Sequence, residues 1–210
     1  MMKQVRQPTI RPTTPCRSDG VSPNGFSLIE VLISIIILSF GLLGMVGLQA
    51  AALQANRDAR LQSVATTLAR ELAEMMRGNK DIAIAATNNP YVGQWQPGNA
   101  WQPSNPSYCL SVTATPCANP AETAQAQMTQ WLARVNTDLP GARVEICSDP
   151  APFDGGGLPR WSTCNSPPGG TVMMKIGWTR GSTDRGAQGD AAFDRATRPA
   201  IVFPVTGGNT

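Results

Sequence analysis

Eighteen residues from Val31 to Leu48 carry no formal charge, and a single carboxylate, Glu30, stands directly before them. About 20 apolar residues cross the hydrocarbon core of a bilayer, so this run is long enough to be read as a membrane-spanning helix. An acidic side chain carried into such a span costs about 2.5–3.5 kcal/mol on insertion scales, and residues of this kind usually have a partner. Glu30 is therefore a candidate functional residue, and its position calls for a cation from outside its own span.

Charge is placed unevenly around the run. Lys3, Arg6, Arg11 and Arg17 stand against Asp19 in the first 25 residues, so the net charge of +3 belongs to that segment and the remainder is close to neutral. Basic residues before an apolar span hold that side in the cytoplasm, which predicts export of the C-terminal bulk. A near-neutral exported domain is not expected to bind nucleic acid. The chain has no histidine. Ser-His-Asp and Cys-His mechanisms cannot be built from it alone, and the commonest neutral metal ligand is missing.

The first 25 residues contain Pro8, Pro12, Pro15 and Pro23, a composition that resists helix and reads as a leader. Beyond Phe26 no breaker interrupts the pattern until Gly78-Asn79. Leu53, Leu61, Val64, Leu68, Leu72, Met75 and Met76 recur on one helical face, so the second half of this stretch is amphipathic. One continuous helix over 26–77 is expected, about 75–80 Å long at 1.5 Å per residue. Gly41, Gly44 and Gly47 lie within it, as ordinary membrane-helix glycines, a smooth contact face, or a place where the helix opens. Residues 80–120 read as a long loop. A second helix is predicted from Pro120 to about Asn136, capped by Asn119, with Met128, Trp131, Leu132 and Val135 on one face. Strands are predicted over Ala142–Cys147, Thr171–Thr179 and Ala200–Val205. The fold class is α+β, a long N-terminal helix packed on a small antiparallel sheet.

Cys109, Cys117, Cys147 and Cys164 all lie beyond the apolar run, an even number that fits two disulfides in an oxidising compartment. Three pairings are possible, and proximity favours Cys109–Cys117 with Cys147–Cys164. No pair has metal-knuckle spacing, so neither metal nor cofactor is expected. Tyr91, Trp95, Trp101 and Tyr108 in the Pro/Gly-rich loop are the best candidates for a partner surface. Asp184, Asp190 and Asp194 are read as solvated turn residues rather than a calcium loop. Asp154-Gly155-Gly156-Gly157 is read as a turn, since the lysine of a phosphate loop is missing.

The segment Gly25-Phe26-Ser27-Leu28-Ile29-Glu30-Val31, behind a basic leader and ahead of a long apolar helix, resembles the class III signal of the type IV pilin family. Within that family the nearest likeness is to minor pilins. It is carried by Ile29-Glu30-Val31-Leu32-Ile33, Leu42-Leu43-Gly44 and the helix end Ala73-Glu74-Met75-Met76-Arg77-Gly78-Asn79. The resemblance implies a cleaved leader over 1–25, a transmembrane and assembly helix over 26–48, and a periplasmic head over 49–210 that includes an amphipathic helix over 49–77. It implies that a prepilin peptidase of the inner membrane cuts between Gly25 and Phe26 and methylates the Phe26 amine. Glu30 would then face the N-terminal amine of a neighbouring subunit. Expected partners are other minor pilins, the major pilin and a tip adhesin, reached through a non-enzymatic, structural role.

Three rival readings make different demands. A minor pseudopilin of a type II secretion system would carry the same N-terminal helix. A conventional secretory signal would be cut near Leu48-Gln49-Ala50, but its apolar region is normally about 7–15 residues and is not preceded by an acid. A membrane-anchored exported enzyme would have to work with Asp and Glu alone.

Overall fold

The computed structural model describes residues 25–161, 171–182 and 186–205. Two compact units divide at Gln49/Ala50. The first is the start of α1, Leu28–Gly78, which remains helical through Gly41, Gly44 and Gly47. Its first turn is closed by the Ser27 carbonyl, which accepts the amides of Glu30 at 2.9 Å and Val31 at 3.3 Å.

The second unit begins with the rest of α1 and contains α2 (Lys80–Ala83), β1 (Gly93–Trp95), α3 (Pro120–Asp138), β2 (Arg143–Ser148), β3 (Val172–Gly177), β4 (Thr179–Gly181), β5 (Phe193–Arg195) and β6 (Ile201–Pro204). Its architecture is α+β and of the type IV pilin-like kind, with the helices on one face of a small antiparallel sheet. Ala65, Leu68, Ala69, Leu72, Ala73 and Met76 form the buried stripe of α1, at the three- and four-residue spacing of one helical face. Leu53, expected on that stripe, is 70% exposed, and the alanines do more of the packing than the sequence pattern implied. Small residues let a neighbouring element approach closely, as Ala65, Ala69 and Ala73 do on this stripe.

The start of α3 follows from its residues. Asn119 Oδ1 accepts the Glu122 amide at 2.9 Å, and Pro120 occupies the first turn. Its buried face carries Met128, Trp131, Leu132 and Val135, and the Trp131 indole N–H donates to the Leu68 carbonyl of α1 at 3.0 Å. Asn79, just past α1, donates to the Pro120 carbonyl at 2.7 Å and ties the two helix ends together.

The main sheet has the order β1-β2-β3-β6, antiparallel throughout. Its register aligns Val144 with Ile176, Ile146 with Met174, Met174 with Phe203, and Ile176 with Ile201. These residues are buried in, or packed against, the core formed with α1 and α3. The alternate positions face the other way, because successive strand residues point to opposite sides. A second sheet pairs β4 with β5. The turn after α3 requires glycine: Gly141 has φ +58°, and a Cβ there would meet Thr179 Oγ1 at 2.3 Å.

The predicted strands are found with shifts of one or two residues at their ends, and the second breaks at Trp178 into β3 and β4. Two expectations need correction. The loop over 80–120 contains α2 and β1, which the sequence did not suggest. Tyr91 and Trp95, read there as part of a partner surface, belong to the core at 0% and 5% exposure. Pairing of β1 with β2 and the Trp95 indole N–H bond to the Gln102 carbonyl at 2.9 Å fold this segment inward. Trp101 packs partly against the same core, and only Tyr108 of the four is exposed.

Candidate functional site

Gly25, Phe26 and Glu30 lie at the beginning of α1. A Cβ on Gly25 would meet nothing within 4 Å, so the bond between Gly25 and Phe26 is sterically open on that side. Phe26 is 82% exposed. It shares an open groove with Glu30, Val31, Ser34, Ile35 and Leu38, as expected for side chains three and four residues apart on a helix. Ser34 and Ser39 spend their hydroxyls on the helix itself, donating to the carbonyls of Glu30 and Ile35 at 2.7 Å each. Glu30 is thus the principal polar group without an internal use on this segment. Among the described residues no Lys or Arg forms an ion pair with it.

The segment that follows is apolar on every side. An 18-residue window reaches a mean hydropathy of 2.6, and none of it is buried within the chain. Such a surface is unstable in water at about 25 cal/mol per Å², and requires lipid or other apolar helices around it. Length, composition and N-terminal position fit an inner-membrane anchor.

One family model bears on this end. Residues 22–46 carry the prokaryotic N-terminal methylation motif. It supports a type IV pilin-like or pseudopilin chain and implies processing by a prepilin peptidase and assembly with other pilins. The match spans the Gly25-Phe26 junction, Glu30 and most of the apolar run, and the head lies outside it. No curated protein and no solved structure matches the chain.

The head carries the remaining candidates. Cys109 and Cys117 form a disulfide that closes a loop of sequence separation 8, as proximity favoured. Cys147 is also disulfide-bonded, and Cys164 lies outside the described residues, as do residues 1–24 of the expected leader. Of the three aspartates weighed for calcium, Asp184 lies outside the described residues. Asp190 pairs with Arg195 at 2.6 Å and Asp194 with Arg180 at 3.2 Å. Burial tends to raise the Asp194 carboxyl, but hydrogen bonds from Thr197 and the Arg180 guanidinium outweigh it and hold the group low. Asp154 organises the glycine turn by accepting the amides of Gly156 at 3.0 Å and Leu158 at 2.9 Å. The Leu158 amide, then Arg198, holds its carboxyl below the usual range.

One constellation escaped the sequence reading. Glu145 on β2 stands opposite Lys175 on β3, and both are buried on the sheet face turned away from α1. The signal was present in Val144-Glu145-Ile146 and Met174-Lys175-Ile176: one charge centred in each apolar strand, at positions of opposite sign. Only pairing in register turns two isolated charges into a cluster.

Proposed function

We propose that the chain is a minor pilin, a non-enzymatic subunit stored in the inner membrane and taken into a type IV pilus at or near its tip. Its nearest kind is PilV, the type IV pilus modification protein. In this reading residues 1–25 are removed by prepilin peptidase at Gly25/Phe26 and the new Phe26 amine is methylated. Residues 26–48 hold the subunit in the bilayer as a single pass, and residues 49–210 form a periplasmic head. On assembly the Phe26–Leu48 surface passes from lipid into a bundle of like helices, where Glu30 receives the N-terminal amine of an adjacent subunit. The head helps prime assembly with other minor pilins and presents a surface to a tip adhesin.

The observation that carries this reading is a coincidence of three things at one place. The matched motif, an apolar helix with no cover from the described residues, and one carboxylate with no ion-pair partner among them all fall within residues 22–48. A minor pseudopilin of type II secretion stands second, because the matched segment is the part that the two classes have in common. Recovery from sheared pili favours the pilus; loss of secretion on deletion, with pili intact, favours the pseudopilin.

Mass spectrometry of the mature N-terminus tests the common ground of both. N-methyl-phenylalanine at Phe26 is the expected result. A mature chain starting at Ala51 would replace the proposal with simple secretion.

A further inference from the structure

Three ionisable side chains on the outer face of the main sheet take no part in the filament chemistry. Lys175, in the middle of β3, is fully buried; Glu145 is 1% exposed and Asp149, just past β2, is 7% exposed. The Lys175 Nζ lies 3.3 Å from Glu145 Oε1 and makes an ion pair with Asp149 Oδ2. Strand register fixes Glu145 opposite Lys175. The other Asp149 oxygen accepts the Ala151 amide at 2.8 Å, so that carboxyl is held on both sides. An amine, a carboxyl carbon and a second carboxylate are therefore gathered in one dry place on rigid elements.

We infer that Lys175 and Asp149 become joined by an amide bond from Nζ to Cγ, with Glu145 carrying the protons. Three physical conditions favour the step. Nucleophile and electrophile are kept in contact by the fold, which replaces an encounter with an intramolecular reaction. Ions are costly to hold out of water, and condensation converts one ammonium and one carboxylate into a neutral group. Glu145 is within hydrogen-bond reach of the amine, as a proton carrier must be.

The balance closes without an oxidant or a cofactor. Glu145 takes one proton from the Lys175 ammonium and passes it to the Asp149 carboxylate, leaving a neutral amine and a neutral acid. The Nζ lone pair attacks Cγ, forming the C–N bond and pushing the C=O pair onto oxygen. Glu145 then removes a proton from the nitrogen and delivers it to the hydroxyl, which departs as water as the C=O bond reforms. Glu145 ends as it began. The product ties β3 to the segment after β2 across a separation of 26 residues, by a link that reduction does not open. This linkage stands apart from the filament reading: it is a property of the head alone.

The test is mass spectrometry of the full chain, purified from membranes in detergent, reduced and alkylated. The expected result is a chain lighter by one water than its processed sequence, with a branched peptide that contains both Lys175 and Asp149. Glu145→Gln is expected to restore the missing water and return the two residues in separate linear peptides. Separate linear peptides from the wild-type chain overturn the proposal, whatever the variant does. Full linkage in Glu145→Gln overturns the role given to Glu145.

Discussion

The two halves of α1 are continuous in backbone and opposite in what they lack. From Leu28 to Gln49 the helix has large apolar side chains on all sides and no buried residue; from Ala50 to Gly78 it buries one stripe and exposes charge elsewhere. The second half has a complete environment within its own chain. Among the described residues the first half has none, and no Lys or Arg there pairs with its only charge. Packing among the described residues therefore accounts for one half, while the other is apolar enough to require lipid or other apolar helices around it.

The largest test of this contrast is Glu30→Ala. Insertion and leader cleavage are expected to persist, while recovery in sheared filaments falls more than about tenfold, since a charge pair in an apolar setting is worth more than 1.4 kcal/mol. Immunoblots of membrane and sheared fractions measure it, and wild-type recovery would break the comparison. The same truncation placed in each half sharpens it. Leu72→Ala, at a fully buried site, should cost the head about 2–5 kcal/mol, read as a lower melting temperature of the detergent-solubilised chain. Leu38→Ala, at a site 63% exposed, should leave that melting temperature unchanged.

A smaller effect is expected where α3 meets the end of α1. Asn119→Ala removes the acceptor for the Glu122 amide and should cost about 1 kcal/mol, whereas Asn119→Asp keeps an acceptor and should cost little. Smallest is the pH effect at Asp154. Its carboxyl lies lower in the folded chain than its ordinary value of 3.8, so its stabilisation is present above that value and is lost as pH falls through the folded one. Asp154→Asn should narrow the difference in melting temperature between neutral pH and pH below 3.8.

What could be read from the sequence was local in origin. The helix spacing of Leu61, Val64, Leu68 and Leu72, the cap at Asn119 and the breaker at Gly78 each act within a turn or two, and α1 and α3 follow from them. The methylation motif was equally legible, because the residues matched over 22–46 form one unbroken run. β1, β4 and β5 were not, since three-residue strands exist only through pairing with distant partners. Tyr91 and Trp95 looked like loop aromatics for the same reason: the contacts that draw them inward come from Gln127, Gln102 and β2. Burial raises the Tyr91 phenol against the effect of Asn79, a shift with no trace in the local sequence.

The Cys109–Cys117 ring has a consequence for how the head reaches its shape. Both sulfurs belong to a short surface excursion, and the core that holds the head together is assembled from α1, α3 and the main sheet without them. Beside the ring, Glu122 holds the Ala118 amide while its own amide is received by Asn119, so oxygen and nitrogen atoms form hydrogen bonds at the start of α3 that do not involve the sulfurs. The head can thus reach its shape while these thiols are still reduced. For this ring, oxidation fastens a short loop at the edge of a body whose core is built from other residues.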